Sequence, residues 1–224
     1  AENLLEMPRL RVIQYHDKIP DEISLKILND KLFTKRKDIL FRVYGRYEDI
    51  EFINFIPEIE RFDWDTIVFG STKPLLNIKK LKHLGLGLGH PKPKISLKFL
   101  LDFKTSLESL SLNGDYKDII TTIPFLRNLK RLWLMSTKLE GFDFLKGMSI
   151  ETIGNYGNRV KSFDYLSNIS TLKKIWIKTN STIENIDFIK DLSDLEVLEL
   201  YYVSKITNFP ECDHLSKLKT IYAS

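Results

Sequence analysis

The chain has 224 residues, 29% of them charged, and a net charge of +4 that is too small to identify a polyanionic partner. No run of eighteen or more apolar residues is present, which excludes a membrane-spanning helix, and the start AENLLEMPRL lacks the basic and apolar parts of a signal peptide. The single cysteine excludes an intramolecular disulfide, so a cytoplasmic location is favoured, with secretion after signal removal left open.

The first 37 residues predict one strand and one helix. A first strand is indicated by the apolar residues Leu10, Ile13 and Tyr15. The segment 21–33, DEISLKILNDKLF, opens with an Asp suited to an N-cap. Its apolar residues are predicted to share one helical face, namely Ile23, Ile27, Leu28 and Leu32. We expect residues 1–37 to form this strand and a capping helix, and residues 38–224 to form a single repeat array.

An apolar pattern recurs from residue 59 onward, with apolar residues at positions 1, 4 and 6 of each unit. Its eight units begin at residues 59, 81, 107, 129, 150, 172, 195 and 218. Alternation at positions 4 and 6 predicts a strand in each unit, near 62–64, 84–86, 110–112, 132–134, 153–155, 175–177, 198–200 and 221–223. Apolar residues three apart follow each strand and predict 3-10 or irregular segments. Eight phased occurrences indicate a repeat architecture.

The segment LKKIWIKTN, residues 172–180, matches L-x-x-L-x-L-x-x-N at every position. The chain thus resembles the leucine-rich repeat family in its short, internalin-like form of about 22 residues, over residues 38–224. The resemblance implies an α/β repeat solenoid, a curved array with a parallel concave β-sheet and an irregular or 3-10 convex side.

Position 9 of the unit departs from the family pattern in places. In related proteins a polar residue there caps the turn after the strand. Asp115, Asn158 and Asn180 fit this role, and Thr137 is a possible substitute. Residues that do not fit are Ile67, Gly89 and Val203, so the side-chain ladder is expected to break at those units.

Candidate catalytic and metal-binding residues are few. The glycines of LGLGLG, residues 84–89, fall inside a repeat strand, which disfavours a phosphate-binding loop. No histidine has metal-ligand spacing to another His, Cys or carboxylate in a repeated pattern, and repeat phase separates the nearby Cys212 and His214. No hydrolase or metalloprotease motif is present. We therefore expect no catalytic residue, no metal site and no cofactor. Cys212 falls on a core position and is expected to be buried.

A pair of carboxylates and a lysine-rich segment are further candidates for binding. Asp63 and Asp65 should face the concave side roughly 7 Å apart, where they suit a cation or, more simply, a basic partner. Residues 71–104 contain eight lysines and one acid, Asp102. That composition suits nucleic acid or anionic lipid. A solvated convex edge is the simpler interpretation, because no aromatic stacking pattern accompanies the lysines.

Aromatic and basic residues collect at positions 3, 5 and 7, which point away from the core, in the C-terminal half of the array. The candidate binding residues are Arg131, Trp133, Met135, Tyr156, Lys174, Trp176, Lys178, Tyr201 and Tyr222. Tyr, Trp and Arg are typical of binding hot spots. Strands about 4.8 Å apart predict a gap of roughly 10 Å between Trp133 and Trp176 across Gly154, wide enough for one inserted side chain.

Two functions therefore remain open. One is a non-enzymatic scaffold that binds another protein or peptide on the concave face, in a bacterial setting an adaptor, regulator or inhibitor, as the resemblance implies. The other is a carbohydrate- or nucleic-acid-binding module that uses the rings as stacking platforms, with nucleic acid the less favoured ligand. Rings that only cover the sheet are a further interpretation. The edge of the last strand is expected to face water or to pair with a partner.

Overall fold

The strands form one open parallel sheet in which each strand pairs with the next along the chain. The computed structural model describes residues 2–45, 47, 49–67, 71–89, 94–158 and 160–224. The strands are β1 (Val12–His16), β2 (Leu40–Tyr44), β3 (Arg61–Ile67), β4 (His83–Leu88), β5 (Ser109–Asn113), β6 (Arg131–Met135), β7 (Thr152–Tyr156), β8 (Lys174–Lys178), β9 (Val197–Tyr201) and β10 (Thr220–Ala223). All eight predicted strands, β3 to β10, are confirmed, and so is their parallel pairing.

Short helical segments connect the strands on the convex side. The α-helices are α1 (Glu2–Leu5), α2 (Glu22–Leu28), which continues as a π-helical turn over Asn29–Phe33, and α3 (Ile119–Thr122). The 3-10 segments are Glu51–Phe55, Lys73–Asn77, Leu97–Phe103, Ile123–Phe125, Asp143–Leu145, Asp164–Asn168 and Asp187–Asp191. This confirms the predicted 3-10 character of that side. None of the described helices reaches the length and apolar character of a membrane-spanning helix.

Helix α2 begins as predicted but buries a different face. The Asp21 carboxylate accepts a hydrogen bond from the backbone N–H of Ser24 at 2.9 Å, as an N-cap does. Ile23 and Ile27, predicted to be buried, are 71% and 44% exposed. Leu28 and Leu32, the other two predicted members, are buried, and Leu25 and Phe33 are buried with them. Leu25, Leu28 and Leu32 follow the i+3/i+4 row of a helix, so the prediction was right for Leu28 and Leu32 and wrong for Ile23 and Ile27. The helix connects β1 to β2 and packs against Glu51–Phe55.

The core lies between the sheet and the convex segments. Positions 4 and 6 of successive strands are buried as predicted, including Leu132, Leu134, Ile175, Ile177, Leu198 and Leu200. Burial decreases in the outermost unit, where Ile221 of β10 is exposed. Cys212, in the same unit, is only partly buried, contrary to expectation. Since no described unit packs over it, its thiol keeps some contact with water; partial burial and Asp213 still raise the pKa of Cys212.

A left-handed residue follows most strands, at position 8 of the unit. The positive φ angles occur at Asp17, Gly45, Gly114, Ser136, Gly157, Thr179 and Tyr202. In most of these units the N–H of this residue donates to the carbonyl at position 7 of the next strand, for example from Thr179 to Tyr201 at 2.8 Å. The left-handed turn thus joins most of these units to their successors before the chain leaves the sheet.

The position-9 ladder forms in two units. Asn158 is buried, accepts from the Thr137 N–H at 2.6 Å and donates to the Leu134 carbonyl at 2.9 Å. Asn180 is also buried and accepts from the N–H groups of residues 182 and 183. Asp115 does not join the ladder, because its carboxylate pairs with Lys138 at 3.0 Å. Thr137 does not substitute either, since its hydroxyl has no partner among the described residues.

Opposite charges alternate along the edge where the strands begin. We call this row the charge ladder; it consists of the position-2 residues Glu60, Lys82, Glu108, Lys130, Glu151, Lys173, Glu196 and Lys219. The N–H of each later member donates to the carbonyl of the preceding one at 2.8–2.9 Å. Side-chain ion pairs join Glu60 to Lys82 at 2.6 Å and Glu151 to Lys173 at 3.1 Å. The ladder therefore connects neighbouring units through both backbone and charge.

Candidate functional site

The predicted binding residues lie on the concave face, in the register of the sheet. Trp133, Gly154 and Trp176 are paired across β6, β7 and β8. Two residues further along these strands, Met135 pairs with Tyr156 at position 7 of the β6 and β7 units. The remaining predicted members are on the same strands or on the next two, and none of the nine falls in the core. We call the rings of Trp133, Tyr156, Trp176, Tyr201 and Tyr222 the aromatic face.

The two tryptophans contact each other, so the predicted gap between them does not exist. Their ring centroids are 4.2 Å apart with an interplanar angle of 34°. The side chains lean together over Gly154, where a Cβ would lie 2.0 Å from Cε3 of Trp133. The prediction used the spacing of the strands, which sets the distance between the two backbones. Because Gly154 has no Cβ, the two indole rings have room to approach each other between those backbones. The pair therefore offers one joined apolar surface in place of a slot.

A second aromatic group surrounds the ammonium group of Lys178. Its Nζ atom lies 5.3 Å from the Tyr156 ring centroid and 5.7 Å from that of Tyr201, within cation–π range. The Tyr201 ring packs on Tyr222 with centroids 4.7 Å apart. Tyr156 and Tyr222 are 44% and 46% exposed. The tyrosines therefore hold a cation in place while much of their surface remains available.

Charged groups border the aromatic face. Arg131 lies 3.9 Å from Glu108, and both side chains are well exposed, so this pairing is weak. Lys174 is exposed and forms no ion pair with any described residue. Glu199 accepts a hydrogen bond from the Tyr201 hydroxyl at 2.8 Å. That bond, more than burial, raises the pKa of Tyr201. The border is therefore basic toward β6 and β8, with one acid on β9.

The two acids of β3, in the N-terminal half of the concave face, have basic partners within the chain. Asp65 pairs with Arg42 at 2.6 Å, and Asp63 with the Nε2 atom of His83 at 2.9 Å. A Cβ on Gly85 would lie 2.1 Å from the Asp63 carboxylate, so this glycine provides the space for the contact. The predicted carboxylate pair thus meets basic partners, and both acids are already occupied.

His83 also bonds to Ser109, a connection that the sequence analysis missed. The Nδ1 atom of His83 lies 2.9 Å from the Ser109 hydroxyl, completing an Asp–His–Ser row. The repeat alignment could have predicted this contact, since His83 and Ser109 both occupy position 3 and their strands are adjacent. Ser109 is buried, which closes its hydroxyl to a substrate. The row therefore stabilises the sheet surface and gives no support to hydrolysis.

The glycine-rich segment and the described part of the lysine-rich segment, the other candidates from the sequence, do not contribute to the aromatic face. Leu84 and Leu86 of LGLGLG are buried in the core, in agreement with a structural role for this segment. Within the described residues, no three His, Cys, Asp or Glu side chains cluster to hold a metal ion. Part of the lysine-rich segment, residues 90–93, lies outside the described residues. Among its described lysines, Lys82 is paired with Glu60 in the charge ladder.

Comparison with known proteins gives matches among solved structures. Internalin C2 from Listeria monocytogenes superposes with a TM-score of 0.62 and 22% identity, over 80% of this chain and 76% of that chain. A leucine-rich repeat protein from Leptospira interrogans gives a TM-score of 0.56 and 19% identity, over 99% of this chain and 56% of that chain. No protein-family model and no curated protein matches the sequence. At these identities the likeness concerns the fold.

Proposed function

Because this chain has the leucine-rich repeat fold, we propose that it is a non-enzymatic scaffold that binds another protein, or a segment of one, on the aromatic face. The solved structures with this fold support an interaction scaffold in general terms. The observation that carries the specific proposal is the joined surface of Trp133 and Trp176, on the same concave face as the exposed Tyr156 and Tyr222. Trp and Tyr anchors of this kind commonly dominate binding energy.

Mutual packing of the rings accounts for part of this surface. Trp133 and Trp176 are each partly buried by the other over Gly154, as rings that only cover a sheet would be. Tyr156 and Tyr222 differ, since each is nearly half exposed, and Tyr156 lies beside the exposed Lys178. Contiguous apolar area with a basic border is a common feature of interaction surfaces on otherwise polar proteins. We therefore favour a binding role over simple coverage.

Affinity capture with variants of the face tests the proposal. Wild type, Tyr156→Ala and the double variant Trp133→Ala/Trp176→Ala are immobilised and exposed to a bacterial extract, and the retained proteins are identified. We expect one partner to be retained by wild type and lost from both variants. Phe125→Ser is the matched control, because Phe125 is an exposed ring on the convex side. Retention of the same partner by both face variants would show that recognition lies elsewhere.

Loss of binding by the variants is then measured by direct titration of the purified partner. Their melting temperatures show whether misfolding is the cause of that loss. The double variant loses a ring–ring contact, so its melting temperature is expected to fall modestly, whereas that of Tyr156→Ala should stay near the wild-type value. Salt dependence separates the alternative ligands. Nucleic-acid binding weakens steeply as salt increases, and an oligosaccharide that replaced the protein partner would bind with little salt dependence.

A further inference from the structure

We infer that the occupant of the aromatic face is an acidic segment in extended conformation, an inference that rests on the proposed function above. Acids of the N-terminal half of the concave face have partners within the chain, whereas lysines of the C-terminal half have none among the described residues. In the N-terminal half, Asp63 is hydrogen-bonded to His83 and Asp65 is paired with Arg42. In the C-terminal half, cations remain without such partners. A ligand that covers them must bring negative charge, because burying an unpaired ammonium group is costly.

Three cations define where that charge is needed. Lys174 and Lys178 form no ion pair with any described residue, although the pKa of Glu196, lowered chiefly by the hydrogen bond from Lys219, is also lowered by the Lys174 charge. Lys178 lies over the Tyr156 and Tyr201 rings. Arg131 has a distant and exposed partner, Glu108 at 3.9 Å. Lys178 is held between two rings before any ligand arrives, so less side-chain freedom is lost when a carboxylate binds to it.

The spacing of these cations matches an extended chain. Lys174 and Lys178 lie four residues apart on β8, roughly 13 Å at the rise of a strand, with Trp176 between them. An extended segment aligned with β8 repeats this spacing, with acidic residues at i and i+4 and an apolar residue at i+2 over the indoles. Arg131, two strands away at roughly 10 Å from Lys174, suits a further acid beside the first.

Glu199 limits the footprint on the other side. Its carboxylate lies on β9 next to Trp176 in register and is bonded to the Tyr201 hydroxyl. An acidic ligand placed over β9 would approach this carboxylate, and like charges brought together in an interface are unfavourable. The acidic segment is therefore expected over β6, β7 and β8.

Tryptophan fluorescence provides a direct test. The chain has three tryptophans, and Trp64 is fully buried in the core, so ligand-dependent changes report on Trp133 and Trp176. The probe is a synthetic peptide with Glu at i and i+4, Leu at i+2 and Thr elsewhere; its counterpart has Lys in place of Glu. We expect a saturable emission change with the Glu peptide, weakened about ten-fold between about 50 mM and 500 mM NaCl, and none with the Lys peptide.

Charge reversal isolates the role of the lysines. Lys174→Glu/Lys178→Glu is expected to weaken binding of the Glu peptide at least about ten-fold. Lys146→Glu/Lys161→Glu makes the same change of net charge outside the aromatic face and should bind as wild type does. No saturable response to the Glu peptide, or equal affinity in the Lys174/Lys178 variant, overturns the inference. Tighter binding of oligothymidylate than of the Glu peptide overturns it in favour of nucleic acid.

The inference and the proposed function fail in different ways. If the Lys peptide binds and Tyr156→Ala abolishes its binding, the face is a peptide-binding surface, but its ligand is not acidic. Suppose that the partner found by affinity capture is lost from Tyr156→Ala but retained by Lys174→Glu/Lys178→Glu. The aromatic face then binds a partner, but the partner is not acidic. If neither peptide binds and no captured partner depends on the rings, both are wrong.

Discussion

At the scale of single residues, two glycines decide how the concave side chains are arranged. Gly85 lets the Asp63 carboxylate reach His83, and Gly154 lets Trp133 reach Trp176. Both glycines are at position 5, where the other strands carry side chains that would fill the same space. The absence of a Cβ therefore produces a polar contact in one half of the face and an aromatic contact in the other.

Replacing Gly154 by Ala should separate the two indoles. The added Cβ would lie 2.0 Å from Trp133 Cε3, so the ring has to rotate away from Trp176. We expect the free energy of unfolding to fall by about 1–3 kcal/mol, as for an overpacked site, and the near-UV circular dichroism of the tryptophans to change. Chemical denaturation and that spectrum measure both effects.

Gly141→Ala is the matched control for this substitution. A Cβ there meets its nearest atom at 3.5 Å, an ordinary contact, and the residue is remote from the indoles. It should leave both the spectrum and the stability nearly unchanged. An unchanged spectrum in Gly154→Ala would contradict the assigned cause of the stacking.

The sequence identified which residues share the concave face but not how they touch. Alternation along a strand assigns Trp133 and Trp176 to the same side, whereas their contact depends on side-chain rotation over Gly154, which no periodicity encodes. The same limit applies to His83 and Ser109. In α2, apolar residues lie on two neighbouring faces of the helix. Packing against the next unit, which the sequence pattern does not show, buries Leu25 and leaves Ile23 and Ile27 exposed.

At the scale of elements, the turns after the strands store backbone strain in some units and avoid it in others. Gly114 and Gly157 occupy the left-handed position without a Cβ, while Thr179 and Tyr202 occupy it with one. A left-handed conformation costs an ordinary residue about 1–2 kcal/mol. The hydrogen bonds from these turns to the next strand offset that cost.

Thr179→Gly should therefore stabilise the protein. The Thr179 side chain is exposed, so little contact is lost, and the relief of strain exceeds the added freedom of glycine in the unfolded chain. We expect a gain of roughly 0.5–1 kcal/mol in the free energy of unfolding. Gly157→Ala is the reverse test and should lose roughly 1 kcal/mol, because its Cβ meets nothing closer than 3.7 Å and only the backbone is strained. Urea denaturation of both variants decides the sign.

Leu198→Ala tests the register of the repeat. Leu198 is fully buried at position 4 of β9, and the cavity left by truncation should cost roughly 2–5 kcal/mol. Val197→Ala, at a partly exposed concave position of the same strand, is the control and should cost less. Similar losses for the two variants, measured by thermal and urea unfolding, would contradict the assignment of faces.

Element prediction succeeded where positions 1 and 4 were apolar, even with Asn155 at position 6 of β7, and failed where position 1 was polar. Strand β2 was not predicted because Asp38 stands at the position that leucine occupies elsewhere. Arg36 pairs with this carboxylate at 2.8 Å and lowers the pKa of Asp38 to about 2. Phe41 and Val43, at positions 4 and 6, are buried as in the other units. A local ion pair here replaces an apolar contact, and an apolar pattern alone does not detect it.

At the scale of the whole molecule, units are joined to their neighbours only, as expected for a solenoid. The sheet, the position-8 turns and the charge ladder each connect one unit to the next. Of these, only the ladder involves the side-chain charge of every unit from Glu60 to Lys219. Individual exposed ion pairs contribute little, but a wrong charge within the row meets two unfavourable neighbours at once.

Glu151→Lys should show this effect. The new side chain would face Lys130 and Lys173, which now lie 3.9 Å and 3.1 Å from the Glu151 carboxylate. We expect a loss of roughly 0.5–1.5 kcal/mol at low salt, most of which disappears near 1 M NaCl, where the screening length falls to about 3 Å. Glu151→Gln should lose less, and Glu140→Lys, off the ladder, should be nearly neutral. A loss for Glu151→Lys that persists at high salt would point to packing instead of charge.

The alternation of Glu and Lys in the charge ladder also means that the side-chain charge repeats every two units. Units of unlike sign stand next to each other, and units of like sign stand two apart. Removing or duplicating one unit from the middle of the row would bring two lysines or two glutamates into contact, whereas removing or duplicating two would restore the original order. Electrostatically the smallest interchangeable piece is therefore a pair of units, although the apolar pattern repeats with each one.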